Sequence, residues 1–168
     1  EKSDFKAFKN IISDGGSAKA LVAPGCGDFS RSKIDSLEKA AKIYGAKGLA
    51  WMKVGSDGLE GGVSKFFADQ SGEIIENLGA QEGDLILAVA DEWETACTSL
   101  GAVRSTIGKE LDLIDPSVFK FAWIVDFPLF EWNGDEERWE PAHHMFTMPQ
   151  EQYLDTLEDD PGKVKGDL

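Results

Sequence analysis

The stretch EPAHHMFTMP, Glu140 to Pro149, carries both histidines of the chain, His143 and His144, side by side. Imidazole can ligate a metal, act as a general base or bind an anion, and the spacing bears on each. As metal ligands the two suit one ion poorly. Adjacent side chains point to opposite sides of a strand, or about 100° apart on a helix. Glu140 would have to complete such a site, and no metal is expected. As a general base, one histidine needs an orienting carboxylate, which Asp126 could supply. As binding groups they are better suited. A neutral imidazole donates to a phosphate or carboxylate oxygen, or accepts from an ammonium group, and two neighbours can divide those tasks. Spacing alone leaves a binding pair and a plain surface loop equally open.

Other reactive residue types carry less. Cys26 and Cys97 lie far apart, with no CxxC or metal-type spacing. They read as a turn thiol and a buried helix thiol of a reduced compartment. Cys26 has no histidine near it in sequence to activate it as a nucleophile. The glycine-rich pieces SDGGSAK and PGCGDFS match neither GxxxxGK[ST] nor GxGxxG. PGCGDFS does join a strand to a helix, but Asp28 would set a negative charge where a phosphate should sit, so it reads as a tight turn. Arg104 reads as a solvated or ion-paired helix charge.

The elements that must position these residues follow from patterning. With 168 residues, 42% hydrophobic, the chain can bury a core. Its 17 basic and 31 acidic residues give a net charge of -14, which opposes strong free-standing binding of a polyanion. No apolar run approaches the ~18 residues of a membrane span, the N-terminus has no signal core, and a cytoplasmic location is expected. Ala18–Pro24 and Gly48–Val54 read as strands, and DLILAVA (Asp84–Ala90) as the strongest strand of the chain. Between the first two, Ile34, Leu37, Ala40, Ala41 and Tyr44 recur at helical spacing, with Ser32 and Asp35 as a capping pair and Gly45 as the stop. SDGLEGG reads as a flexible loop, and VSKFFADQSGEIIENLG as two helical pieces broken around Gly72. Asp91 and Glu94 make a second capping pair. They precede a long helix whose stripe is Trp93, Ala96, Cys97, Leu100, Val103, Ile107 and Leu111.

After Asp115-Pro116 the character changes. FKFAWIVDF (Phe119–Phe127) reads as a strand, and LFEWNGDEERWEP as a hairpin turning at Asn133-Gly134. Residues 1–115 carry 13 basic and 19 acidic groups, net -6; residues 116–168 carry 4 and 12, net -8. LEDDPGKVKGDL neither caps a helix nor closes a strand, and the chain is expected to be an excised piece. The alternation of strand and helix over residues 1–115 leaves parallel and antiparallel sheets both open.

Two sets of residues resemble a known family. FAWIVDFPLFEW…AHHMFTMP followed by LEDDPGKVKGDL resembles the part of bacterial-type aspartyl-tRNA synthetases that re-enters the catalytic domain. That part has a strand ending in VDFP, an acidic hairpin and a His-His-Pro-Phe-Thr run. FKNIISDGGSAKALVAPG, IDSLEKAAKIYGAKGLAWMKV, GAQEGDLILAVAD and LGAVRSTIGKELDLID resemble the GAD domain. In those enzymes the GAD domain is inserted into the catalytic core, and an archaeal tRNA-dependent amidotransferase subunit shares it. The resemblance covers essentially the whole chain in order. The synthetase pattern is preferred over the amidotransferase because of the VDFP…HHMFT continuation.

The resemblance implies an α+β fold for residues 1–115: a two-layer sandwich, mainly antiparallel, with helices on one face. Residues 116–168 become a truncated segment of a class II catalytic domain. It also implies a parent that joins L-aspartate to ATP, with Mg²⁺, as aspartyl-adenylate and then transfers aspartate to tRNA. By the same resemblance His143 contacts the aspartate and His144 faces the ATP phosphates. Met145 stands where the family has proline, so the loop is expected to be less rigid. Class II enzymes hold ATP with an Arg-Asp/Glu motif and a glycine-rich motif ending in Arg. Neither occurs here, so the piece is expected to be inactive alone, with no catalytic residue of its own and no cofactor bound. The parent is expected to be a homodimer and the piece a monomer. A GAD-type tRNA-binding module and a structural insertion without substrate contacts stay open, as does whether the parent charges only tRNA-Asp or also tRNA-Asn.

Overall fold

The run 85–90 is apolar on both of its faces, and only a central position in a sheet covered on both sides can bury such a strand. The computed structural model, which describes residues 5–144 and 146–167, puts it there. The chain divides into two compact units, Glu1–Asp115 and Pro116–Leu168. In the first, the strands are β1 (Ser17–Ala23), β2 (Ala50–Gly55), β3 (Gly58–Glu60) and β4 (Leu85–Asp91), in the spatial order β1-β4-β2-β3. Every pairing is antiparallel: Ala20 faces Ala88, Met52 faces Ile86, and Val54 faces Leu59. Thus β1 and β2 run parallel with β4 between them, which settles what strand–helix alternation could not.

The helices are α1 (Lys6–Ser13), α2 (Arg31–Ile43), α3 (Ser71–Leu78) and α4 (Trp93–Glu110). Leu85, Leu87 and Val89 point to the face held by the long pair, where Ile34, Leu37 and Ala41 of α2 meet Ala96, Leu100, Val103 and Ile107 of α4. The fold is α+β with a mainly antiparallel sheet and its long helices on one face. The opposite face is covered by shorter pieces: Ile86 packs with Met52, Val54 and Phe67, joined by Phe8 of α1 and by Ile74, Ile75 and Leu78 of α3. Phe5, Phe8, Phe66 and Phe67 form one aromatic cluster there, with centroids 4.9–6.0 Å apart. Of these only Phe67 is buried, and a fully buried side chain of this kind contributes about 1.5–3 kcal/mol.

Local chemistry sets the ends. The Ser30 hydroxyl, not Ser32, caps α2 by accepting from the Lys33 N–H at 3.3 Å. The residue with extended backbone immediately before the first helical one is the position that can cap, and here that is Ser30. The Asp91–Glu94 capping pair is likewise absent. Asp91 Oδ1 accepts from the adjacent Glu92 N–H at 3.0 Å, and α4 starts after Glu92 without a side-chain cap. SDGLEGG is not simply a loop, because its Gly58–Glu60 folds back on β2 as β3, and the Leu59 N–H donates to the Ser71 hydroxyl at 2.8 Å. The helical break falls before Ser71 rather than at Gly72, which lies inside α3. Gly79, at φ +62°, ends α3, with its N–H and that of Ala80 donating back to the Glu76 and Ile75 carbonyls. The two ends of the predicted α4 stripe, Trp93 and Leu111, are exposed, and burial runs from Ala96 to Ile107.

Candidate functional site

The histidines lie in the second unit. FKFAWIVDF forms no strand: residues 118–126 carry no regular element, and Phe119, Phe121 and Trp123 stand 82–96% exposed. A period-2 apolar segment becomes a strand only when another strand takes its N–H and C=O groups, and no described strand pairs with residues 118–126. The hairpin does form. β5 (Phe130–Asn133) pairs with β6 (Arg138–Pro141), with Trp132 opposite Trp139 at 5.4 Å. The Asn133 side chain starts its four-residue turn by accepting from the N–H groups of Asp135 and Glu136, at 3.0 and 3.1 Å.

A short ladder supports the segment before the histidines. β7 (Met148–Pro149) pairs with β8 (Gly166–Asp167), and Pro128 bridges to Lys165. The Leu129 N–H donates to Val164 O at 3.0 Å and the Ala142 N–H to Leu129 O at 2.9 Å, with Leu129 and Val164 buried. The chain therefore enters the histidine pair from a fixed point, Ala142. His143 meets the Phe127 ring edge-on, with centroids 4.7 Å apart and planes at 82°; His144 stacks on Phe146 at 4.6 Å. Each imidazole has its own aromatic support and both remain exposed to solvent. Met145, between them and Phe146, lies outside the described residues, so the effect of replacing the family proline has no structural account here.

The suggested helpers take other roles. Asp126 accepts from Gln150 Nε2 at 2.9 Å and is not hydrogen-bonded to either histidine. Glu140 accepts from Arg138 Nη2 at 2.7 Å and from Asn133 Nδ2 at 3.1 Å. Arg138 above all, then Asn133, holds the Glu140 carboxyl below its usual range. Among the described residues no three His, Cys, Asp or Glu side chains cluster as metal ligands. What remains is a pair of accessible imidazoles on aromatic supports, able to donate to carboxylate or phosphate oxygens. Sequence reasoning passed over Phe127, Gln150 and Gly166, which build the support. Only the unusual Asp-Phe-Pro corner hinted at them.

In the first unit Cys26 is buried at 1% exposure, and its thiol donates to the Pro24 carbonyl at 3.5 Å. Burial first, then the Asp84 carboxylate, pushes the thiol above its usual range, against a smaller opposing pull from Lys33. A thiol kept neutral is a poor nucleophile, so Cys26 belongs to the fold. Cys97 is partly buried and free. No helix among the described residues is long and apolar enough to cross a membrane.

Comparison with known proteins joins both units. The chain is 60% identical, over its whole length, to an aspartate–tRNA(Asp/Asn) ligase of Treponema denticola, of which it covers 29%. It is 50% identical over 98% of its length to one of Treponema pallidum, and 46% identical over 98% to an aspartate–tRNA ligase of Macrococcus caseolyticus, covering 28% of each. The chain thus spans less than a third of these relatives. A family model, the GAD domain, matches residues 8–100, which takes in the sheet and most of α4. This chain belongs to the GAD domain family.

Proposed function

We propose that this chain is a segment of an aspartate–tRNA ligase: a GAD insertion domain over residues 1–115, joined to part of a class II catalytic domain over residues 116–168. The observation that carries the reading is the 60% identity that extends over the whole chain, and so across both units, to a protein of that name. In the proposed parent reaction, an aspartate carboxylate oxygen attacks the α-phosphorus of ATP and pyrophosphate leaves. A terminal ribose hydroxyl of tRNA then attacks the acyl carbon of the adenylate and AMP leaves. Both steps bring anions together, so positioned donors do much of the work. His143 donates to the aspartate and His144 faces the ATP phosphates. Their exposed imidazoles, each braced on one aromatic ring, suit those roles.

Mg²⁺ accompanies ATP in this reading. The described residues hold no carboxylate cluster fit for it, so no residue of this chain is assigned to it and no step is routed through it. The parent is a cytoplasmic homodimer acting on tRNA, and the isolated chain is an inactive monomer. The exposed row Phe119, Phe121 and Trp123 is then a strand whose sheet neighbours belong to the rest of the ligase. The test is aminoacylation by the full-length protein with labelled aspartate and total tRNA. Charging that needs ATP and is specific for aspartate supports the reading; charging with another amino acid, or none, removes it.

A further inference from the structure

We propose that Phe127 is a positioning residue for His143, seated by Gly166 and by the hydrogen bond between Asp126 and Gln150. The inference rests on the reading that His143 meets the aspartate substrate. It begins at Asp126, whose φ of +56° is rare for a residue with a side chain. Such a conformation costs about 1–3 kcal/mol and persists only where its surroundings enforce it. Here the enforcement is visible. Gln150 Nε2 donates to Asp126 Oδ1 at 2.9 Å, and the same nitrogen reaches the Gly166 carbonyl at 3.4 Å. The Gln150 amide oxygen accepts from Gln152 Nε2 at 3.0 Å, so its orientation is fixed. The Gln150 backbone N–H donates to Lys165 O at 2.9 Å, and the Gly166 N–H donates to Phe127 O at 2.8 Å. One amide side chain therefore ties the residue before Phe127 to the strand that also holds the Phe127 carbonyl.

The ring itself lies on Gly166. A Cβ at that position would overlap the Phe127 ring, so glycine is what lets the ring approach. On another side the ring meets His143 edge-on at 4.7 Å. His143 is exposed, and among the described residues no hydrogen bond holds its imidazole, so the aromatic contact sets where the ring points. A ring that only filled space would leave substrate affinity untouched when trimmed. One that aims His143 would not.

The experiment uses the full-length protein with His143→Ala, Phe127→Leu and Gly166→Ala, following aspartate-dependent ATP–pyrophosphate exchange while aspartate and ATP are varied in turn. Loss of one edge-to-face contact and its aim predicts a KM for aspartate raised about 3- to 10-fold in the Phe127 and Gly166 variants. The KM for ATP stays as in the wild type. In parallel, the imidazole proton resonances of His143 are recorded in this 168-residue chain. They shift in Phe127→Leu while the backbone amide resonances of the second unit away from residues 127, 143 and 166 are unchanged. If His143→Ala weakens aspartate binding but Phe127→Leu matches the wild type, the positioning role is refuted. If His143→Ala itself has no effect, the aspartate reading falls instead. The resonances then decide alone whether Phe127 touches His143: no shift overturns the contact, and the positioning role with it.

Discussion

Asp84 offers the sharpest test of what holds the first unit together. Its side chain is 8% exposed, and each carboxylate oxygen takes one backbone N–H at 2.9 Å, Oδ1 from Gly25 and Oδ2 from Gln81. Gly25 follows β1 and Gln81 precedes β4, so one anion clips together the turns at the same end of two adjacent strands. Asp84→Asn keeps the shape but leaves one oxygen, and its amide faces the other N–H donor to donor. One charge-assisted bond of about 1.5–3 kcal/mol is lost. For a domain of this size that lowers Tm by about 6–20 °C. Among the described residues the four α-helices all lie in the first unit, so far-UV circular dichroism during heating reports mainly on it. Asp57→Asn, at an exposed turn, is the control and should shift stability by less than about 0.5 kcal/mol. If Asp84→Asn melts within about 2 °C of the wild type, the clip is decorative and the reasoning fails.

Three further outcomes follow from the same geometry. Leu87 sits fully buried in the central strand, so Leu87→Ala should cost about 2–5 kcal/mol in urea unfolding, whereas Trp123→Ala, at a 90% exposed side chain, should change stability little. The Cys26 thiol is raised in the native state, so above the ordinary thiol pKa of about 8.5 the unfolded chain loses its proton first. That contribution to stability is complete below this pH and declines above it. Cys26→Ala should flatten the fall between neutral and alkaline pH, and an unchanged slope would contradict the assignment. Glu140 is lowered, so its contribution holds above the ordinary carboxyl range and is lost as pH falls through the lowered value. An NMR titration should show its midpoint rising in Arg138→Ala.

Much of the first unit was legible because its signals are local or repeated. The β4 run read directly as the chain's strongest strand, and the stripe that holds Ala96, Leu100, Val103 and Ile107 as a packing helix. Strand direction was not legible, because alternation of strands and helices is compatible with either sense, and it followed only from the family resemblance. β3 escaped because three residues inside the glycine-rich SDGLEGG become a strand only through pairing with β2. The caps were misplaced for a related reason: Ser30 and Ser32 both fit the composition, and only the backbone conformation selects Ser30. FKFAWIVDF has every local mark of a strand, but residues 118–126 have no partner strand among the described residues, so propensity alone could not build one. At the site, the histidines were found by their rarity. Their supports could not be, since Phe127, Gln150 and Gly166 meet only after the chain has turned back on itself.

The measurement that bears most directly on the central claim is aspartate-dependent ATP–pyrophosphate exchange by this chain, by the full-length protein and by its His143→Ala variant. The account predicts a silent chain, an active full-length protein, and a variant reduced by ~10²-fold or more, which is about 2.7 kcal/mol of transition-state stabilisation. Exchange by the isolated chain, or a His143→Ala variant as active as its parent, would contradict it.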